Sequence, residues 1–317
     1  MPDWLIEMGI GEVRGALVEN DEIVQARISV EGVISAGRII QAKLIDVGRN
    51  GRNAIALADG EEYLLRESPD GISEGTTFEL EVTRPKIPGS EPWKRPLGRP
   101  AARTPASIGN EGPGSTVAMP AQDQLGVAGW DDLIEEARSG VVRFAGGELR
   151  IEATAAMTLI DVDGYLAPDE LAVLGAAAAA KAIRRLDIGG SIGIDLPTAG
   201  SKAARQRAAA AVDAVLPQPF ERTAVNGFGF VQIVRPRTSA SLVELAQDRA
   251  PFEARALLRR AAFEPAGPKR LVVHPAVATV LEAQADWLDA LARQVGGAIG
   301  LRADPAVPMS GGYAEPA

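Results

Sequence analysis

The sequence predicts an α/β protein that carries a small β-barrel in its amino-terminal third. Short segments of alternating apolar and polar residues, separated by Gly, Asn and Asp, occupy residues 4–82 and are typical of β-strands. Residues 146–237 alternate strand patterns with two alanine-rich helical patterns, the order expected of a sheet with right-handed crossovers. The length of 317 residues is enough for about two domains.

The composition excludes several kinds of chemistry. The chain has no cysteine, one histidine (His274), and 33 Lys and Arg against 42 Asp and Glu, a net charge of −9. Disulfides, cysteine zinc sites, thiol nucleophiles and paired catalytic histidines are therefore excluded, and we expect His274 to be structural. No basic, apolar leader or membrane-spanning stretch is present, so we expect a soluble, cytoplasmic protein. Any catalysis must depend on carboxylates.

The amino-terminal part of the chain divides into three segments. Residues 1–35 predict a β-meander with a turn at Asn20-Asp21. Residues 36–85 predict a small barrel such as an OB-fold, and a barrel without affinity for nucleic acid is the alternative. Residues 86–127, rich in Pro, Gly and basic residues, predict a flexible linker that either follows phosphates or is a solvated tether.

The rest of the chain predicts two further units. One amphipathic helix is expected at residues 130–140. Residues 146–240 then predict two strands, a helix, a strand, a second helix and a final strand pair. Residues 241–317 predict a small α/β appendage, with a helix over 277–295 between two strands. Trp130, Trp287 and Phe144 are spaced as core residues.

Acidic residues end two of the predicted strands. Asp161 and Asp163 end one, and Asp195 ends the next. Ligands of open α/β sheets bind at this carboxyl edge, where Asp161 and Asp195 would lie about 5 Å apart. Two carboxylates so close favour a bound cation such as Mg²⁺ or Mn²⁺. The alternative is that each Asp caps a turn or the following helix.

Basic residues near these strands are candidates for binding an RNA backbone, although charged helix faces are also commonly just solvated. In the predicted linker they are Lys94 and Arg95. In the predicted α/β unit they are Arg184, Arg185, Lys202, Arg205, Arg207, Arg235 and Arg237.

Three segments resemble the ribonuclease E/G family. The segment IEATAAMTLIDVDG is similar to its first catalytic strand, AAAAAKAIRRLDIGGSIGIDLP to its helix and second acidic strand, and VNGFGFVQIVRPR to its closing strand pair. The resemblance implies a DNase-I-like catalytic subdomain at 146–240. It also implies an RNase-H-like part formed by residues 1–35 and about 128–145, and an inserted OB-fold RNA-binding domain at 36–85.

The resemblance further implies a function. Asp161 and Asp195 correspond to the family's Mg²⁺ ligands. Asp163 lies where the family commonly has an Asn that orients the first ligand, and an Asp there adds negative charge that would either raise metal affinity or make Asp163 a third ligand. No zinc is implied. The implied activity is that of a metal-dependent endoribonuclease that hydrolyses phosphodiester bonds of single-stranded RNA in RNA processing or decay.

The sequence also departs from the family. The 5′-end-sensing domain has no room, because the Pro/Gly-rich linker stands in its place, and the cysteine zinc link between subunits is absent, so no zinc-link dimer is expected. Two alternatives to the enzyme therefore stay open. One is a non-catalytic RNA-binding relative, and the other is an interaction module that docks through the linker and the carboxy-terminal appendage.

Overall fold

A computed structural model describes residues 3–48, 52–66, 69–88, 94–101, 115–117 and 122–317. Over these residues the chain is a mixed α/β protein with a closed five-stranded barrel and three further sheets of four, six and three strands. Its buried apolar side chains form three separate cores. No helix within the described ranges is long and apolar enough to cross a membrane.

The first strands form the predicted antiparallel meander. They are β1 (Asp3–Met8), β2 (Glu12–Glu19) and β3 (Glu22–Val30). Asn20 and Asp21, with φ of 53° and 64°, make the two-residue turn between β2 and β3. Tight hairpins require this left-handed conformation, which Asn and Asp adopt more readily than other non-glycine residues. One face of the meander packs into the largest core through the buried side chains of Ala16, Ile23 and Ala26.

The barrel confirms the predicted closed β-structure but extends beyond its predicted end at residue 85. Its strands are β4 (Ile39–Asp46), β5 (Ala54–Ala58), β6 (Glu61–Leu65), β7 (Thr77–Arg84) and β8 (Leu97–Pro100), in the order β4-β5-β6-β8-β7. The closing strand β8 comes from the predicted linker. Its Gly98 lies against Leu80, where an added Cβ would be 2.8 Å from the leucine side chain. Gly98, which in the sequence is typical of a linker, is therefore needed for β8 to pack closely against Leu80.

Other described parts of the predicted linker are also ordered into the fold. Strand β9 (Ser115–Val117) pairs in parallel with β1, and helix α1 (Gln124–Val127) follows. Three basic side chains pair with barrel acids, as Lys86–Glu61 at 3.0 Å, Arg95–Glu62 at 2.7 Å and Arg99–Glu81 at 2.9 Å. Residues 89–93, 102–114 and 118–121 of the predicted linker lie outside the described residues.

A six-stranded sheet carries the acidic strands. In chain order its elements are α2 (Trp130–Ser139), β10 (Val141–Phe144), β11 (Gly147–Ala153), β12 (Thr158–Gly164), α3 (Pro168–Arg185), β13 (Gly190–Asp195), α4 (Lys202–Val215), β14 (Glu221–Arg222) and β15 (Phe230–Arg235). The strand order is β10-β11-β12-β13-β15-β14. Only β12 and β13 are parallel among these paired strands, and α3 forms the crossover between them.

Small residues allow α3 to lie close to the sheet. A Cβ on Gly175 would be 2.3 Å from Cγ1 of Val162 in β12, so only glycine fits there. Ala176 and Ala180 of the same helix are fully buried, which brings α3 close to its neighbours. Val162 therefore faces the helices, and the residues on either side of it in β12 face away from them.

The carboxy-terminal residues form the predicted small α/β unit. Its elements are α5 (Leu242–Gln247), α6 (Arg249–Phe263), β16 (Lys269–Val273), α7 (Pro275–Ala283), α8 (Ala285–Val295), β17 (Ile299–Ala303) and β18 (Tyr313–Pro316). The single helix predicted over 277–295 is wrong, because the chain breaks at Gln284. A straight helix would place the buried Leu281 and Leu291 about 80° apart on its surface, and the break lets both reach one core. His274 caps α7 by accepting the Ala276 N–H at 3.1 Å, a structural role as expected.

Candidate active site

Two neighbouring strands bring Asp161 and Asp195 side by side. The two residues are direct cross-strand partners in the parallel β12–β13 pair, about 4.8 Å apart at the strand spacing. Both are exposed, on the face of the sheet opposite α3 and α4, whereas Ile160 and Ile194 beside them are buried. The adjacency predicted from the sequence is confirmed.

The pKa of Asp161 reports the electrostatics of this edge. Desolvation raises the pKa of Asp161 above its ordinary value, and the negative charges of Asp163 and Asp195 raise it further. A hydrogen bond from the Val162 backbone and the positive charge of Arg150 act in the opposite direction but do not cancel the increase. The ionised form of Asp161 is therefore less favoured than that of an isolated carboxyl, and a bound cation would offset this difference.

A row of charged residues continues from the carboxylates across the sheet. Arg150 of β11 is the cross-strand partner of Asp161, and Glu148 is the partner of Asp163. Arg150 Nη2 donates a hydrogen bond of 2.7 Å to Glu148. Arg143 of β10 lies opposite Glu148 in turn. The arginine opposite Asp161 is therefore shared with Glu148, and it neutralises the carboxylate pair only in part.

The donor set fits a hard cation with few protein ligands. Among the described residues, no group of three or more His, Cys, Asp or Glu side chains is placed to hold a metal ion. The geometry thus gives no support to Asp163 as a third ligand. Mg²⁺ is commonly held by one or two carboxylates with water and substrate phosphate completing its shell. Asp161 and Asp195 fit that pattern, and they fit poorly with zinc, which prefers nitrogen and sulfur ligands.

The predicted phosphate-binding residues divide between the two ends of the sheet. Helix α4 begins just after the carboxyl end of β13. Its first two turns, which carry Lys202, Arg205 and Arg207, therefore lie at the same end of the sheet as the carboxylates. Helix α3 runs back along the sheet and β15 is antiparallel to β13, which places the other four at the opposite end. These four are Arg184, Arg185, Arg235 and Arg237. Their expected position around the acidic edge is wrong, because strand and helix direction reverses within each crossover.

The arginines at the far end are tied to other groups. Arg184 pairs with Glu19 at 2.7 Å, Arg185 with Glu136 at 2.9 Å, and Arg237 with Glu244. Arg235 donates to the Ile188 carbonyl at 2.8 Å, and burial lowers its pKa. Near the acids, Arg205 donates to the Ala199 carbonyl at 3.2 Å. Lys94 and Arg95 lie beside the barrel at the start of β8, where Arg95 pairs with Glu62.

Two exposed aromatic residues near the carboxylates were missed in the sequence. Tyr165 follows β12 and Phe228 precedes β15, and each side chain is 84% exposed. Phe228 is flanked by Asn226-Gly227 and Gly229, a turn signal that argues against a core position for it. By contrast, Trp130 is 2% exposed and Trp287 and Phe144 are partly buried, as predicted for core residues.

The fold and the site define a mixed α/β protein with a closed barrel and an exposed pair of carboxylates at one sheet edge. No protein-family model matches this chain, and no curated protein sequence is significantly similar to it.

Proposed function

We propose that this protein is a metal-dependent endoribonuclease that hydrolyses phosphodiester bonds of single-stranded RNA, in RNA processing or decay. The proposal rests chiefly on one observation, the direct cross-strand pairing of Asp161 and Asp195 at an exposed carboxyl edge. Segments of the sequence that resemble the ribonuclease E/G family contain both residues, and the resemblance gives each the role of a Mg²⁺ ligand.

The carboxylates account for chemistry without histidine or cysteine. Bound Mg²⁺ would polarise the phosphate and lower the pKa of an attacking water. Asp161 and Asp195 would hold that ion as ionised carboxylates. Asp163, two residues after Asp161 on the same face, would add negative charge that favours a cation. Arg150 would balance part of this charge and fix Glu148 through its hydrogen bond.

The other parts of the fold fit the same function. The barrel, whose strands follow the order β4-β5-β6-β8-β7, would be the OB-fold RNA-binding domain. The meander and the six-stranded sheet share one core, which supports their assignment as the RNase-H-like and DNase-I-like parts of a single catalytic unit. Lys202 at the start of α4 would attract a phosphate approaching the acidic edge.

A cleavage assay tests the function. Purified protein is incubated with A/U-rich single-stranded RNA in Mg²⁺ or in EDTA, beside the Asp161→Asn/Asp195→Asn variant. We expect endonucleolytic products only from the wild type with Mg²⁺. A matched control is Asp213→Asn, which removes an exposed carboxylate on α4 and should leave cleavage intact. Cleavage that survives chelation or the double substitution would falsify the two-carboxylate mechanism.

The non-catalytic RNA-binding relative is the second candidate. It is favoured by two observations: the described residues contain no larger metal-holding group, and several candidate arginines are occupied by ion pairs. The same assay separates the two functions. Tight binding of RNA without cleavage under any divalent cation would select the binding protein.

A further inference from the structure

Tyr165 and Phe228 lie on opposite flanks of the carboxylate pair. Tyr165 comes two residues after Asp163 at the end of β12. Phe228 comes two residues before Phe230, which is the cross-strand partner of Asp195. Strand β13 separates the two carrying strands, β12 and β15, so these strands are about 10 Å apart. Two highly exposed rings therefore bracket the acidic edge.

The turn that carries Phe228 is held rigidly. Asn226 Oδ1 accepts the N–H groups of Phe228 and Phe230, at 2.9 and 3.1 Å. Thr198 Oγ1 donates to the Phe228 carbonyl at 3.3 Å. Gly229 has φ of +97°, and a Cβ there would be 2.1 Å from the Leu196 carbonyl oxygen. The backbone is fixed while the ring remains in solvent, so a planar ligand would lose little free energy to ordering the platform.

Tyr165 borders a shallow hollow of about 390 Å³. Its lining includes Arg143, Phe144, Glu148 and Asp163. Arg143, Glu148 and Asp163 are successive cross-strand neighbours, so the hollow opens on the same face as Asp161. The volume is at the low end of the range for small organic ligands. An aromatic ring, a guanidinium and acidic acceptors together suit a base with an attached phosphate.

We propose that Tyr165 and Phe228 are stacking platforms for two unpaired nucleobases, one on each side of the phosphodiester placed at Asp161 and Asp195. This inference rests on the proposed function and specifies which part of the RNA the two rings would bind. The two rings lie on separate turns, and Tyr165 borders the charged residues Arg143, Glu148 and Asp163, unlike the continuous apolar patch expected of a protein interface. The barrel strands provide no equivalent, since their aromatic residues Tyr63 and Phe78 are buried and partly buried.

The test compares alanine and aromatic replacements at both positions. Michaelis constants for a single-stranded RNA of mixed sequence are measured for Tyr165→Ala, Phe228→Ala, Tyr165→Phe and Phe228→Tyr. We expect each alanine variant to raise KM about tenfold, equivalent to about 1.4 kcal/mol, in line with the contribution of stacking one base. The two aromatic replacements should retain the wild-type KM. Tyr313→Ala, which removes an exposed ring of the carboxy-terminal unit, is the control.

An RNA with abasic sugars flanking the cleaved bond provides an independent readout. By the same tenfold per stacked base, the wild type should lose about a hundredfold in affinity for it and each single alanine variant about tenfold, whereas the Tyr165→Ala/Phe228→Ala double variant should bind both RNAs about equally. Unchanged KM in both alanine variants of an active enzyme would overturn the platforms and leave the proposed function standing. Wild-type protein that neither binds nor cleaves RNA would overturn both. Loss of self-association in the alanine variants, without a change in RNA affinity, would assign the rings to a protein interface instead.

Discussion

Asp161 is the residue whose surroundings say most about the site. It is exposed, it pairs directly with Asp195, and its pKa is raised by desolvation and then by two like charges. A carboxyl in this state binds a proton or a cation more readily than an isolated one. The like charges of Asp163 and Asp195 that raise this pKa would be balanced by a bound divalent cation.

Two substitutions should shift the pKa of Asp161 in opposite directions. Asp163→Asn removes a negative neighbour and lowers the pKa towards its ordinary value, whereas Arg150→Gln removes a positive neighbour and raises it. Carboxyl ¹³C NMR of the metal-free protein measures both shifts. Because only the ionised carboxyl binds Mg²⁺, loss of Mg²⁺ affinity on acidification should begin at lower pH in Asp163→Asn and at higher pH in Arg150→Gln. Shifts of the same sign in both variants would contradict this description.

Substitution of Lys202, with Arg184 as the control position, tests where RNA phosphates bind. Lys202 is exposed and begins α4 near the acids, while Arg184 pairs with Glu19 at the far end of the sheet. Each single-strand phosphate contact contributes about 0.7 to the slope of log affinity against log salt. Lys202→Ala should reduce that slope by about this amount, and Arg184→Ala should leave it unchanged. The slopes come from fluorescence anisotropy titrations at several salt concentrations.

The two acids of the site could be predicted from the sequence, but not all of the residues around them. Asp161 and Asp195 could be paired from it because parallel strands joined by a crossover end at one edge. The positions of the arginines relative to the two acids could not be predicted from their distance in the sequence. Arg184 and Arg185 are separated from Asp195 by only ten residues or so, but the chain reverses direction within that interval. The turn signal at Asn226-Gly227 predicts a break between two strands, but it does not show that the ring of Phe228 beside the turn stays exposed.

Among the elements, α3 determines the position of the first acidic strand. Its contact with β12 depends on Gly175, where the side chain of Val162 occupies the space of a Cβ. Gly175→Val should destabilise the fold by about 1–3 kcal/mol through overpacking. Leu174→Val, at a 40% exposed position of the same helix, is the control and should change stability by less than about 1 kcal/mol. Urea unfolding followed by circular dichroism measures both, and equal effects would contradict the packing argument.

Strand β8 illustrates the limit of composition as a guide to elements. A segment rich in Pro and Gly is typical of a linker, yet Leu97–Pro100 closes the barrel between β6 and β7. A side chain at position 98 would clash with Leu80, and this contact forms only in the folded barrel. The hairpins could be predicted because their turn residues are local signals, as at Asn20-Asp21. Closure of the barrel depends on contacts between distant residues.

For the whole molecule, a buried ion-pair network joins the amino-terminal meander to the carboxy-terminal helix α6. Arg14 contacts Glu7 and Glu12, each at 2.6 Å. Arg255 contacts Glu12 at 2.8 Å and Arg259 contacts Glu7 at 3.0 Å. All five side chains are buried, so each charge depends on its partners. The network could not be predicted from the sequence, because Arg255 and Arg259 are 243 and 252 residues away from the acids that they contact in the meander.

Arg259→Met should destabilise the protein strongly. The loss leaves Glu7 with Arg14 as its remaining partner, so we expect about 3 kcal/mol, the lower end of the range for breaking a buried pair. Arg222→Met, which breaks the more exposed pair with Asp213, should cost less than about 1 kcal/mol. Thermal unfolding followed by calorimetry ranks the two variants. A larger loss in Arg222→Met would contradict the expectation that the buried network contributes more to stability than the exposed pair.

The proposed function depends on Asp161 and Asp195 binding a divalent cation together. Isothermal titration of the protein with Mg²⁺ at pH 7.5 and low ionic strength measures this directly. We predict one site per chain that is lost in both Asp161→Asn and Asp195→Asn and retained in Asp213→Asn, with Mn²⁺ competing for it. Equal Mg²⁺ binding by the wild type and the two site variants would contradict the account.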